Sequence, residues 1–106
     1  MIIIDMAGIK DKVIEKLKMV FDPEIPVDIY ELGLVYELIT HLDGQVKILM
    51  TLTAPGCPAS DQIIRDVDLS VRELEEVKNV IVEITFDPPW SKDMMSEEAR
   101  LELGFL

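Results

Sequence analysis

Leu34-Val35-Tyr36-Glu37-Leu38-Ile39-Thr40-His41-Leu42-Asp43-Gly44-Gln45-Val46-Lys47-Ile48-Leu49-Met50-Thr51-Leu52 reads as two strands joined by a tight turn at Asp43-Gly44. The register of this hairpin decides which side chains share a face. A two-residue Asp43-Gly44 turn would pair His41 with Val46 and Glu37 with Met50, mixing polar and apolar groups on both faces. A three-residue loop, Leu42-Asp43-Gly44 with Gly44 left-handed, pairs His41 with Gln45 instead. Leu34, Tyr36 and Leu38 then share a face with Val46, Ile48, Met50 and Leu52, while Glu37, His41, Gln45, Lys47 and Thr51 take the other. A buried face specifies register strongly, so the second solution is the expected one.

Outward from the hairpin, the second strand runs into Thr53-Ala54-Pro55-Gly56-Cys57-Pro58. A helix is expected from about Ala59 to Glu76, with Ile63, Ile64, Val67, Val71 and Leu74 on one stripe and Leu69 exposed opposite it. A third strand follows, with Val80, Val82, Ile84 and Phe86 facing one way and Ile81, Glu83 and Thr85 the other. Strand, helix, strand implies a crossover and a parallel pair. Before the hairpin, Ile9, Val13, Leu17, Val20 and Phe21 recur at helical spacing over about Ala7 to Phe21, with Asp5 as a candidate cap. Pro23 stops that helix, and Pro26 keeps the next segment irregular, with Asp28 capping a short turn that ends at Gly33. In the tail, Ser96 is a helix cap and Gly104 closes the short helix. The expected fold is α/β (α+β): a small mixed three-stranded sheet with helices packed on it, in the order α-β-β-α-β-α.

A chain of 106 residues with 49% hydrophobic content is expected to form one domain over residues 1–106 with its own core. A lone cysteine allows no internal disulfide and fits a reducing compartment. The opening Met1-Ile2-Ile3-Ile4 run is too short to span a membrane and lacks the basic flank of a signal peptide, so a cytoplasmic location is expected. A net charge of −11 disfavours nucleic acid and anionic membranes as partners and leaves proteins, metals or small molecules. The same acidity also serves plain solubility.

Cys57 is the leading candidate for chemistry. It stands in a strand-to-helix loop just before Pro58, which suits a first helical position. Free N–H groups and the helix dipole at such a start favour a thiolate, the nucleophilic and metal-binding form. The opposing reading is a buried cysteine acting as a small hydrophobe. The segment Asp22 to Asp28 supplies carboxylates at Asp22, Glu24 and Asp28, either as metal ligands or an acid–base pair, or simply as loop caps. His41, the sole histidine, falls beside the hairpin turn and reads as a solvated turn residue. Trp90, after Pro88-Pro89, reads either as a lid on the core or as a recognition surface.

These segments carry a resemblance. Asp22-Pro23-Glu24-Ile25-Pro26-Val27-Asp28-Ile29-Tyr30-Glu31-Leu32-Gly33-Leu34-Val35 is similar to the amino-terminal signature of the PaaD/SufT-like iron–sulfur assembly accessory family. Met50-Thr51-Leu52-Thr53-Ala54-Pro55-Gly56-Cys57-Pro58 resembles its cysteine loop, and Phe86-Asp87-Pro88-Pro89-Trp90-Ser91 with Met95-Ser96 its closing motif. The resemblance implies an iron–sulfur assembly-type domain without enzymatic activity, which aids cluster assembly or transfer to clients. Its partners would be iron–sulfur carrier or scaffold proteins and client apoproteins. The family's reactive cysteine falls on Cys57, its acidic loop on Asp22 and Glu24, and its strand-end threonine on Thr53. Iron or an iron–sulfur cluster would be held transiently. One thiolate per chain means that a cluster would be shared through a homodimer, a client or a small thiol. The alternative is a pure adaptor that docks a cluster-carrier ATPase through Trp90 and has no metal chemistry of its own.

Overall fold

The computed structural model describes residues 1–56 and 60–104. Their elements are β1 (Ile2–Asp5), α1 (Lys10–Leu17), β2 (Val35–Thr40), β3 (Gln45–Met50), α2 (Ser60–Arg72), β4 (Asn79–Ile84), a 3-10 turn (Lys92–Met94) and α3 (Glu97–Glu102). The strands form one mixed sheet in the order β1-β2-β3-β4, with β1 parallel to β2, β2 antiparallel to β3 and β3 parallel to β4.

The hairpin closes through the three-residue loop: His41 N–H donates to the Gln45 carbonyl, and Gly44 has a φ of 92°. Leu38 pairs with Ile48 and Thr40 with Val46, and all of these are fully buried. On the same face β4 contributes Val80, Val82 and Ile84 opposite Val46, Ile48 and Met50. Val13 and Leu17 of α1, and Ile63, Val67 and Val71 of α2, complete this core. Each fully buried aliphatic side chain here contributes about 1.5–3 kcal/mol.

Four expectations need correction. The sheet has four strands rather than three, because Ile2–Asp5 pairs with β2. A run of isoleucines shows no alternation, and its pairing crosses α1, so local pattern does not reveal it. Tyr36 is not on the core face. Val35 pairs with Met50 and Glu37 with Leu49, so Tyr36 is the extra residue of a bulge; Val35 takes the buried position and Tyr36 turns out, its hydroxyl donating to the Pro88 carbonyl at 2.8 Å. Thr51, placed on the polar face, is fully buried. Phe86, placed on the core face, lies beyond the end of β4 and is 41% exposed.

The helices are shorter than their apolar patterns. Gly8, at φ 73°, delays α1, and the Asp5 carboxylate then accepts from the N–H groups of Ile9 and Lys10 at 3.0 and 3.1 Å. At the other end Phe21 is withdrawn from the helix because it bridges to Asp28, with Ile29 N–H donating to the Val20 carbonyl at 2.8 Å. After α2 the chain tightens through bonds such as Leu74 N–H to the Val71 carbonyl, and Lys78 N–H then docks on the Gly44 carbonyl at 2.7 Å. Ser96 caps α3 as expected, its hydroxyl accepting from Ala99 N–H at 3.1 Å.

Asp5 joins three elements, since the Thr40 hydroxyl of β2 also donates to it at 2.6 Å. Burial alone would raise its pKa, but hydrogen bonds from Thr40 and from the backbone of Lys10, Ile9 and Gly8 together hold it below the ordinary carboxylate value. A depressed folded pKa contributes stability above the unfolded value and loses it as pH falls through the folded one. Asp5→Asn should therefore cost about 1 kcal/mol in urea unfolding at neutral pH. The gap from wild type should close as both proteins are acidified; a gap that stays constant with pH would show that the charge is not what matters.

Candidate functional site

The three motif segments lie far apart in sequence and meet at one end of the sheet. The first supplies the loop from Asp22 to Leu34, which ends on β2. The Asp22 carboxylate folds its start by accepting from the N–H groups of Glu24 at 2.8 Å and Ile25 at 3.1 Å. The Asp28 carboxylate caps the following turn through Glu31 N–H at 3.0 Å. Burial raises the Asp28 pKa, and the nearby Glu31 charge adds to this, partly offset by the hydrogen bond from Glu31 N–H and those from neighbouring backbone groups. Asp22 is itself buried, at 4% exposure. Of the three carboxylates between Asp22 and Asp28, two are thus committed to backbone N–H groups, and Glu24 is the one left exposed.

The second segment joins the first where Thr51 N–H donates to the Leu34 carbonyl at 2.8 Å. It meets the chain that leads into the third where Thr85 N–H, one residue before Phe86, donates to the Met50 carbonyl at 2.9 Å. Past these bonds Leu52 is buried, Thr53 is half-buried at a bend, and Ala54, Pro55 and Gly56 are exposed. Cys57 lies outside the described residues, as does the expected helix start at Pro58 and Ala59; α2 is described from Ser60. The Thr51 hydroxyl is buried with no hydrogen-bond partner among the described residues.

The third segment is clamped onto the first. The Trp90 indole N–H donates to the Leu32 carbonyl at 2.7 Å, and Ser96 N–H donates to the Glu31 carbonyl at 2.8 Å. Gly33, at φ 78°, lies so close to Met94 that a Cβ would stand 2.1 Å from the Met94 carbonyl oxygen. Trp90 packs on the core as a lid, and its remaining surface lines a cleft of about 300 Å³ with Glu24, Ile25, Pro26 and Met95. Of the two sequence readings of Trp90, the lid is the one that this packing describes. His41 stays at the hairpin turn, the opposite end of β3 from Thr53, and a strand of this length separates the two by roughly 16 Å or more.

The structure thus brings Glu24 to Trp90 at one cleft and commits Asp22 to the backbone of the loop. Among the described residues no three His, Cys, Asp or Glu side chains converge as a metal site. Sequence reading missed Gly33 and Tyr36 as the residues by which the loop and β2 meet the tail. The only signal was the Leu-Gly-Leu step at Gly33, which marks a turn without naming what crosses it.

A sequence profile of the iron-sulfur cluster assembly protein family matches residues 10–84. The chain belongs to that family. It is 54% identical over 97 residues to a protein of Porphyromonas gingivalis named Fe-S protein maturation auxiliary factor, covering 92% of both chains. The Fe-S protein maturation auxiliary factor SufT of Staphylococcus aureus is 45% identical, over 81% of this chain and 98% of that one. Among solved structures, a domain of unknown function from Bacillus anthracis superposes with a TM-score of 0.87 at 38% identity, covering 93% of this chain and 94% of that one. The resemblance to the SufT-like group stands, and with it the mixed α/β fold.

Trp90→Phe keeps the apolar lid but leaves the Leu32 carbonyl without its donor. It should lower unfolding free energy by about 1–2 kcal/mol in urea denaturation. An unchanged midpoint would mean that the indole N–H does not hold the tail on the loop.

Proposed function

We propose that this protein is a non-enzymatic accessory factor of iron–sulfur cluster assembly, which holds iron or a cluster as cargo through Cys57 while it passes to a client protein. The convergence of the three motif segments at one end of the sheet carries this reading. The segment that contains Cys57 is tied by main-chain bonds to Leu34, where the acidic loop ends, and to Thr85, just before the Trp90 segment begins. Relatives named as Fe-S protein maturation auxiliary factors, and others named as iron-sulfur cluster carrier proteins, support the same assignment.

Each part has a chemical role in this reading. Cys57 supplies the thiolate, the form that ligates iron. Asp22 holds the loop in shape, Glu24 presents a free carboxylate beside Trp90, and Thr53 stands at the strand end before the cysteine. A single sulfur cannot fill the coordination of a cluster, which commonly takes four thiolates. The remaining ligands come from a second protein or a small thiol, and the cargo is bound only while such a partner is present.

The half-buried Trp90 cleft favours a second reading, a pure adaptor in which Cys57 takes no part. Anaerobic reconstitution with ferrous iron, sulfide and a small thiol separates the two. Wild type should develop visible cluster absorption, and Cys57→Ser should stay colourless while retaining its fold. In pH-dependent alkylation, the thiol should titrate below the ~8.5 of free cysteine. A colourless wild type with an ordinary thiol would reject ligation and leave the adaptor.

A further inference from the structure

The two edges of the sheet are finished differently. On β4, Glu83 projects from the outer face, and the Arg72 guanidinium reaches the Val80 carbonyl at 3.5 Å and the Asn79 side chain at 3.1 Å. On β1, Ile2, Ile3 and Ile4 carry no charge and no proline, and they are 58%, 37% and 47% exposed. No strand lies beyond β1 among the described residues. Met6 N–H continues the ladder by donating to the Thr40 carbonyl at 3.1 Å. Main-chain groups alternate in direction along a strand, so Ile2, Ile4 and Met6 bond to β2, while Ile3 and Asp5 turn theirs outward. An apolar edge of this kind is a template for another strand, and soluble proteins normally blunt it with lysine, proline or a bulge.

The outer face beside this edge says what fits there. Ile2 and Glu37 are neighbours across the ladder and border a groove of about 620 Å³. Its apolar lining includes Met1, Leu49 and Met94, its carboxylates are Glu31, Glu37 and Asp87, and no Lys, Arg or His side chain lines it among the described residues. We propose that β1 accepts, as a fifth strand, an extended segment of a partner protein that carries apolar side chains and lysine or arginine. Main-chain bonds to Ile3 and Asp5 would supply affinity, and side chains over the groove would supply selectivity. Charge decides against a second copy of this chain: two molecules of net charge −11 would bring the same three carboxylates toward one another. The proposal rests on the accessory reading in one respect, that such a factor must hold a partner; it does not involve Cys57.

The probe is a fluorescein-labelled eight-residue peptide alternating lysine and valine, with its glutamate–valine counterpart as control. Anisotropy should show saturable binding of the lysine peptide alone, and backbone amide shifts should centre on β1 and the groove. Ile3→Pro removes an outward N–H while sparing the Ile2 and Ile4 bonds to β2, and should weaken binding by about tenfold or more. Glu37→Gln with Asp87→Asn should weaken it by about threefold or more. A peptide N-methylated at alternate positions tests the same hydrogen bonds on the unaltered protein and should also lose binding. Equal binding of the glutamate peptide, no effect of N-methylation, shifts away from β1, or a dimer already pairing β1 in solution would each overturn the proposal. Cys57→Ser should bind the peptide as wild type does, so a failed cluster reconstitution and a failed strand addition remain separate results.

Discussion

Leu38 facing Ile48 across the hairpin is the pairing on which the other elements depend. A slip of one residue would turn Leu38 outward and bring Glu37 toward the helices, so the fully buried face admits no alternative. With that pairing fixed, Thr40 falls opposite Val46 on the inner face, where its hydroxyl meets Asp5. Asp5 in turn sets the first N–H groups of α1. The same register leaves Gly44 at the loop, against Lys78, where a Cβ would stand 2.4 Å from the lysine side chain. One apolar pairing thus aligns β1, starts α1 and brings β4 in beside β3.

Legibility followed the range of the interactions. The hairpin register, the parallel β3–β4 pair, the Ser96 cap and the inward set Val80, Val82 and Ile84 were all readable, because each is written in local spacing or in a short polar signal. β1 was not readable: Ile2-Ile3-Ile4 has no alternation, and what makes it a strand is an edge supplied by residues 37–40. The Tyr36 bulge was hidden for a similar reason, since Val35 and Tyr36 are both apolar enough for the core and the choice is made by the Pro88 carbonyl that takes the tyrosine hydroxyl. At the site, the segments named from the sequence lie near one another in the fold, but their division of labour was not legible. Asp22 and Asp28 look like candidate ligands on paper, and the backbone N–H groups that occupy them come into view only once the loop is folded.

That occupation bears on what the loop can do. A carboxylate that accepts two backbone N–H groups is a fixed part of the chain path, and using it as a ligand would release the turn it holds. Glu24 has no such duty among the described hydrogen bonds, and it sits where the Trp90 cleft opens. The loop is held from the other side by Trp90 on Leu32 and Ser96 on Glu31. Gly33 and Met94 are too close for any side chain to be inserted between them. The result is a stiff frame at the carboxyl end of β3, with the exposed Ala54-Pro55-Gly56 stretch leading away from it toward Cys57.

In the proposed reading, a frame leading to a single thiol suits cargo that has to leave. A complete set of ligands from one chain would hold a cluster as a resident group, and release would then require breaking every bond before a client formed any. A chain that contributes one sulfur leaves the other positions to its partner, so ligands can be exchanged one at a time while the cluster stays coordinated. Such a device depends on partner contact more than on its own affinity for metal. Docking surfaces on the frame then matter as much as the thiol itself. The acidic rim of the groove lies where Tyr36 of β2 meets the tail at Pro88, and β1 is the neighbouring strand, so a partner held there would sit on the same sheet whose β3 leads into the cysteine segment.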